Sequence, residues 1–191
     1  AQIVNGAPYD VFLAADAGVT ARLEEEGRAV SDSRAIYAIG RLALWSRVAG
    51  YVDAQGHVLA DGDFRRLSIA NSRLAPYGEA AVEVLTALGQ YERVSERLVQ
   101  GENIAQTYQF VDSGNAELGF VAYSQVLENG AGGSYWLVPE DLHAPLTQEL
   151  ILLKDGAAAR EFVAFLLLPS TLAVIAANGY GVPEAAAVAT P

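Results

Sequence analysis

Short apolar runs alternate with longer amphipathic segments along the whole chain. The apolar runs have the length of buried strands and lie at 11–15, 67–70, 97–100, 118–123, 135–138 and 149–153. The segments between them carry helix signals and lie at 17–26, 78–88, 103–113, 124–129, 157–167 and 170–178. Strands that alternate with helices predict an α/β protein whose mixed or parallel sheets are flanked by helices.

The segment 35–46 contains two apolar stretches separated by Gly40 and Arg41. It fits either one long bent strand that crosses between two lobes, or two separate strands. Residues 50–63 are rich in Gly and Asp and are predicted to form a loop. The Ala-rich end at 184–191 is predicted to be a frayed tail.

Composition and charge indicate a globular protein and limit the kinds of molecule that it is expected to bind. A length of 191 residues allows one domain or two small lobes, and 52% apolar with 18% charged residues is typical of a globular protein. The net charge of −11 would repel nucleic acid and anionic membranes, so neither is expected as a partner. No apolar run approaches the ~18–20 residues of a bilayer span, so membrane insertion is not expected.

The residues offer little for catalysis or for a resident metal. The sequence has no cysteine, which removes thiolate metal sites and cysteine nucleophiles together. His57 and His143 are interpreted as solvated loop side chains, and the acidic run 24–26 as a solvated face. The turn 130–133 lacks the lysine of a phosphate-binding loop. We therefore predict no enzyme, no cofactor and no metal ligand.

Two strand-to-helix junctions could hold an anion. The segment 75–78 opens the helix after the strand 67–70, and the segment 101–105 opens the helix after the strand 97–100. Helix N-termini carry N–H donors and partial positive charge, so they bind anions without lysine or arginine. Every α/β protein has such junctions, however, and the pattern alone does not separate a site from an ordinary turn.

Several segments of the sequence resemble the periplasmic molybdate- and tungstate-binding proteins of ABC transporters. The resemblance covers residues 1–183, and the segments that carry it are 6–16, 37–45, 67–71, 74–78, 101–106, 116–122 and 159–180. It implies a two-lobed fold of the type II periplasmic-binding-protein class. The boundaries expected from the crossover near Gly40 are 1–38 with 148–191 for one lobe and 39–147 for the other.

The resemblance also implies the ligand and the residues that hold it. Molybdate or tungstate would lie between the lobes and accept hydrogen bonds from hydroxyls and main-chain amides, without a charged side chain. On this sequence the main-chain donors would be Tyr77 and Ile104. Pro76, Gly78 and Asn103 are further candidates. Some members add a tyrosine hydroxyl, but the corresponding residue here is Ala122, so Tyr123 is not expected to be a ligand.

In this family the first two anion loops lie ahead of the position that corresponds to Ala1. We therefore expect the chain to represent a fold without its first strand and helix, and to bind the anion with dissociation constants on the order of millimolar or weaker. The implied role is an extracytoplasmic, periplasmic solute-binding protein that delivers the anion to a membrane permease. The alternatives are the ligand-sensing domain of a transcription regulator and an enzyme on a related fold that binds a phosphate ester.

Overall fold

A computed structural model describes residues 2–128, 130 and 132–183. Its strands are β1 Val11–Ala14, β2 Ala35–Gly40, β3 Leu42–Ser46, β4 Leu67–Ala70, β5 Leu98–Gly101, β6 Leu118–Ala122, β7 Ser134–Leu137 and β8 Leu146–Leu152. Its helices are α1 Ala17–Glu25, α2 Val58–Asp61, α3 Pro76–Ala87, α4 Tyr91–Val94, α5 Ile104–Asp112, α6 Tyr123–Glu128, α7 Ala157–Leu166 and α8 Pro169–Ala177. The predicted tail at 184–191 and Ala131 of the predicted turn lie outside the described residues.

The chain divides into two compact units, Ala1–Gly40 with Thr147–Pro191 (unit 1) and Arg41–Leu146 (unit 2). Unit 1 is built on a three-stranded sheet in the order β1-β8-β2. β1 and β8 are antiparallel, with Val11 opposite Leu152. Asp16 caps α1 by accepting a hydrogen bond of 2.8 Å from the Gly18 amide, as its position before the helix predicts.

Unit 2 is built on a five-stranded mixed sheet in the order β5-β4-β6-β3-β7. β4 is parallel to both β5 and β6, whereas β3 is antiparallel to β6 and β7. The segment 35–46 forms two strands of two different sheets, which decides between the two interpretations of that segment. Because β4, β5 and β6 run in one direction, their carboxyl ends meet at one edge of the sheet, which we call the carboxyl edge.

Both faces of the unit 2 sheet are covered. Alternate residues of β6 point to opposite faces, so Leu118 and Phe120 join one core cluster while Val121 joins the other. α3 closes the first cluster with buried Val84 and Leu85, and α5 closes the second with buried Val111, among other residues. The predicted class, mixed sheets flanked by helices, is confirmed.

Several element boundaries differ from the sequence expectation. α3 begins at Pro76 and not at Gly78, because proline fits the first helical position, where no N–H is needed. The expected loop 50–63 contains the single helical turn α2, which ends at Gly62 in the left-handed conformation. β6 ends at Ala122, so Tyr123 is the first residue of α6 and not the last of the strand.

α7 and α8 of unit 1 expose several large apolar side chains. On and between these helices they are Phe162, Phe165, Leu168 and Val174. Within residues 2–128, 130 and 132–183, no single helix has the length and apolar character to cross a bilayer. α7 and α8 reach that length only together, and a bend of 56° separates them.

Candidate anion site

Helices begin at the carboxyl edge of the unit 2 sheet. α3 follows β4 and α5 follows β5, and these two helices have 12 and 9 residues. Ligands of open α/β sheets collect at the carboxyl ends of strands, where the N-termini of the following helices point. The fold thus brings the two sequence-predicted anion junctions, 75–78 and 101–105, to one edge on adjacent strands.

The N-terminus of α3 is built without a side-chain cap. Ala75 occupies the N-cap position in an extended conformation, and its methyl group cannot accept a hydrogen bond. Pro76 has no N–H, so Tyr77 contributes the first amide of the helix. The amides of Gly78 and Glu79 both donate to the Ala75 carbonyl, at 2.8 and 3.2 Å. The candidate Gly78 therefore uses its amide within the helix, and the candidate Pro76 has no N–H to donate.

Close backbone approaches hold α3 and α5 at this edge. A Cβ on Gly78 would lie 2.3 Å from the Ala70 carbonyl oxygen, so only glycine lets α3 start directly against the end of β4. A Cβ on Gly101 would lie 2.8 Å from the Thr107 amide nitrogen. The Asn71 amide donates to the Gly101 carbonyl at 2.8 Å, which ties the end of β4 to the end of β5.

The N-terminus of α5 is capped by side chains in both directions. Asn103 Oδ1 accepts from the Gln106 amide at 3.0 Å, and Gln106 Oε1 accepts from the Glu102 amide at 2.6 Å. This arrangement resembles a capping box, shifted by one residue. The side chain of the candidate Asn103 is therefore used within the helix start, and Ile104 contributes the first amide of α5.

Gln125 connects two parts of the edge. Its Oε1 accepts from the Ala122 amide at 3.1 Å, and its Nε2 lies 3.5 Å from the Ile104 carbonyl oxygen. The end of β6 and the first turn of α5 are thus linked through one carboxamide. The sequence analysis missed this residue, because a glutamine in a six-residue helix gives no signal until the strand order is known.

Tyr123 begins α6, two residues before Gln125. Its hydroxyl is 3.3 Å from the hydroxyl of Tyr135. That hydrogen bond, together with burial, raises the pKa of Tyr123 above its ordinary value, although the nearby charge of Arg41 acts in the opposite direction. The hydroxyl consequently stays neutral at physiological pH and adds no negative charge to the edge.

An aromatic stack supports α5 from the sheet. The rings of Trp45 on β3 and Tyr108 on α5 are 4.6 Å apart and inclined by 7°. Trp45 is buried, and its indole N–H donates to the Gly132 carbonyl at 2.8 Å. The stack fixes the helix whose first amide is a proposed donor.

Metal chemistry has no evident centre in the described residues. His57 Nδ1 lies 3.3 Å from the carboxylate of Asp53 on an exposed loop, a pairing that the sequence analysis did not anticipate. No group of three or more His, Cys, Asp or Glu side chains that could hold a metal ion occurs in the part of the chain that the structure describes.

The sequence is similar to those of known solute-binding proteins. A family described as bacterial extracellular solute-binding protein matches residues 1–181. The molybdate-binding protein ModA of Azotobacter vinelandii is 53% identical over 185 residues, which are 94% of this chain and 73% of that protein. The ModA protein of Rhodobacter capsulatus is 47% identical over 182 residues, or 94% and 71% of the two chains.

The fold is also similar to that of a molybdate-binding protein of known structure. The solved structure of the Azotobacter vinelandii periplasmic molybdate-binding protein superimposes with a TM-score of 0.88 and 40% identity. The superposition covers 96% of this chain and 82% of that one. The resemblance drawn from the sequence is confirmed: the chain belongs to the family of bacterial extracellular solute-binding proteins.

Proposed function

We propose that this protein is an extracytoplasmic receptor that captures molybdate or tungstate and delivers it to the permease of an ABC transporter. The observation that carries the proposal is the meeting of the α3 and α5 N-termini at one edge of adjacent parallel strands. The relatives that are 53% and 47% identical are both named as molybdate-binding proteins, which supports the same ligand here.

The proposed donors on this side of the ligand are the main-chain amides of Tyr77 and Ile104. Each is the first N–H of its helix, where the helix dipole favours a negative charge. Further hydroxyls and main-chain amides would complete the set of donors.

A site made only of main-chain amides favours anions that are fully deprotonated. Main-chain amides only donate, so every oxygen they meet has to be an acceptor. Molybdate and tungstate are fully deprotonated at neutral pH. Phosphate keeps at least one proton there, and a buried hydroxyl without an acceptor costs about 1–3 kcal/mol.

The proposed mechanism is binding and release, with no covalent step. The relatives are binding proteins and not enzymes, and we propose the same for this chain. Release would require a partner that favours a conformation with low affinity for the anion, because a ligand shifts a conformational equilibrium only through its differential affinity. The permease is the proposed partner, and the anion is a passenger and not a cofactor.

Isothermal titration calorimetry of the natural protein tests the proposal. We expect molybdate and tungstate to bind about 5- to 150-fold more tightly than phosphate, since the unpaired hydroxyl of phosphate costs about 1–3 kcal/mol. Equal affinity for phosphate would contradict an amide-only site. Sulfate is also fully deprotonated, so its affinity measures the size of the site rather than its donor chemistry.

A further inference from the structure

Arg41 lies at the carboxyl edge although it belongs to none of the helices that start there. It precedes β3, which is antiparallel to β6, and Leu42 lies opposite Ala122. The Arg41 carbonyl accepts a hydrogen bond of 2.9 Å from the Tyr123 amide. The beginning of β3 is therefore next to the end of β6, on the edge where α3 and α5 begin.

The guanidinium group of Arg41 is held in place on this edge. Its central carbon is 5.7 Å from the centre of the Tyr123 ring, within the range of a cation–π contact. Its Nε is 3.8 Å from a carboxylate oxygen of Glu140. The Arg41 side chain is 34% exposed and that of Glu140 is 71% exposed, so water weakens this ion pair. The positive charge is consequently anchored but only partly compensated.

The surroundings of this charge are acidic. The charged residues in the segments that meet at the carboxyl edge are Arg41, Arg73, Glu79, Glu102, Glu140 and Asp141. The whole chain carries a net charge of −11. A dianion that approaches this edge is therefore repelled by most of the protein. Arg41 is partly buried and Arg73 is exposed, so the field of Arg41 is less screened by solvent.

We infer that Arg41 steers the oxyanion to the site without binding it. This inference rests on the proposed function and extends it from the donors to the rate of capture. A fixed charge near a site raises the local concentration of an oppositely charged ligand and accelerates association. Because Arg41 acts through its field and not through contact, it affects the association rate more than the dissociation rate. Glu140 limits the effect by partly neutralising the guanidinium.

Stopped-flow absorbance with molybdate as the probe tests the inference on the natural protein. Arg41→Gln is expected to slow association about three- to tenfold at low ionic strength, which is a fraction of the 10–10³-fold effect of a complete steering field. The difference should vanish at about 1 M salt, where the screening length falls to ~3 Å. The dissociation rate should change less than about twofold, and Arg41→Lys should keep most of the association rate.

Two matched variants separate steering from other effects. Arg66→Gln changes the net charge by the same amount at the opposite end of β4 and should leave association unchanged. Glu140→Gln removes the exposed partner carboxylate and should accelerate association. It keeps the inference testable even if an Arg41 variant folds poorly.

The outcomes discriminate between the two proposals. Steering by Arg41 is wrong if Arg41→Gln matches Arg66→Gln, if its slower association persists at high salt, or if the loss lies mainly in dissociation. A failure of the unsubstituted protein to bind molybdate would instead overturn the proposed function and, with it, the steering role.

Discussion

The two units bury their side chains in different ways. Both hydrophobic core clusters of the described residues lie entirely in unit 2, on the two faces of its sheet. In unit 1, α8 has no buried residue and α7 has only Ala159. Large apolar side chains of unit 1, among them Leu13 and Phe165, remain exposed. In the part of the chain that the structure describes, large apolar clusters are therefore a feature of unit 2, and we expect other interactions to contribute more in unit 1.

Polar and charged side chains around the buried carboxylate of Glu149 help to hold unit 1 together. The carboxylate of Glu149 on β8 accepts hydrogen bonds from the Thr20 hydroxyl of α1 and, at 3.0 Å, from Arg34 Nε. Arg34 also lies 3.7 Å from Glu24, whose other oxygen accepts from the Asp32 amide at 2.7 Å. Charge-assisted bonds therefore connect β8 with α1 and with the chain ahead of β2.

Substitution of one phenylalanine in each unit should give the largest difference in stability between the units. Phe120 is 0% exposed in the unit 2 core, and Phe165 on α7 is 55% exposed. Phe120→Ala should lower the free energy of unfolding by about 3–5 kcal/mol, because it removes buried area and leaves a cavity. Phe165→Ala should lower it by less than about 1 kcal/mol. Urea unfolding of the two variants checks the difference, and equal losses would refute the contrast between the units.

A pair of Glu→Gln substitutions examines the ionic contribution. Glu149→Gln should lower the free energy of unfolding by about 2 kcal/mol, because the charge-assisted hydrogen bonds that Thr20 and Arg34 donate to the buried carboxylate are weakened. The control is Glu26→Gln, which breaks only the exposed pair with Arg22 and should cost no more than about 0.5 kcal/mol. Thermal unfolding of both variants measures the effect. A Glu149 variant as stable as the control would show that unit 1 does not depend on the hydrogen bonds to Glu149.

Substitution of the two N-cap residues, Asn103 in unit 2 and Asp16 in unit 1, should distinguish effects on stability from effects on molybdate binding. Replacing either with Ala should cost about 1 kcal/mol of stability, because each side chain accepts from an amide of the first helical turn. Only Asn103→Ala should also weaken molybdate binding, since α5 supplies the proposed Ile104 donor. Calorimetry on both variants is the measurement, and an equal loss of affinity in Asp16→Ala would argue against a site at the start of α5.

The smallest effect is expected from an ion pair at the other end of the unit 2 sheet. Burial acts to raise the pKa of Glu117, but hydrogen bonds from the Arg65 side chain and the Arg66 amide outweigh it and lower the pKa below the ordinary 4.5. A depressed folded-state pKa contributes stability that is present above pH 4.5 and is lost as the pH falls through the folded value. Glu117→Gln should therefore flatten the loss of stability below pH 4.5.

Unfolding of this variant and the parent between neutral pH and about pH 3 measures that difference, which should stay below about 0.5 kcal/mol for a pair whose Arg65 side chain is 89% exposed. Glu117→Gln thus provides a charge deletion in unit 2 to compare with Glu149→Gln in unit 1. A loss in unit 2 as large as that in unit 1 would contradict the view that packing dominates there.

The sequence predicted those parts of the fold that depend on neighbouring residues. The strand 67–70 and the cap at Asn103 follow from a short apolar run and from a side chain that accepts within its own turn. α2 and α4 were missed because a four-residue helix is too short to show periodicity. Tyr123 was placed in the strand because its apolar ring continues the run, although the chain turns into α6 there.

The candidate site could be predicted only in part from the sequence, because some of its features depend on residues that are far apart along the chain. The helix starts at Tyr77 and Ile104 are local features, and the resemblance to a known family identified them as candidates. Their meeting at one edge depends on the parallel pairing of β4 and β5, which no local pattern records. Arg41 and Gln125 reach that edge only through the strand order β4-β6-β3, so neither could be recognised before the fold was known.

The Trp45–Tyr108 stack gives the protein an optical probe of its own. The sequence contains two tryptophans, and Trp136 is the other. A Trp136→Phe variant would leave Trp45 as the sole indole fluorophore, in ring contact with the helix that begins at Ile104. Any shift of α5 during anion capture would then change the emission of Trp45, so binding could be followed in real time without an attached dye.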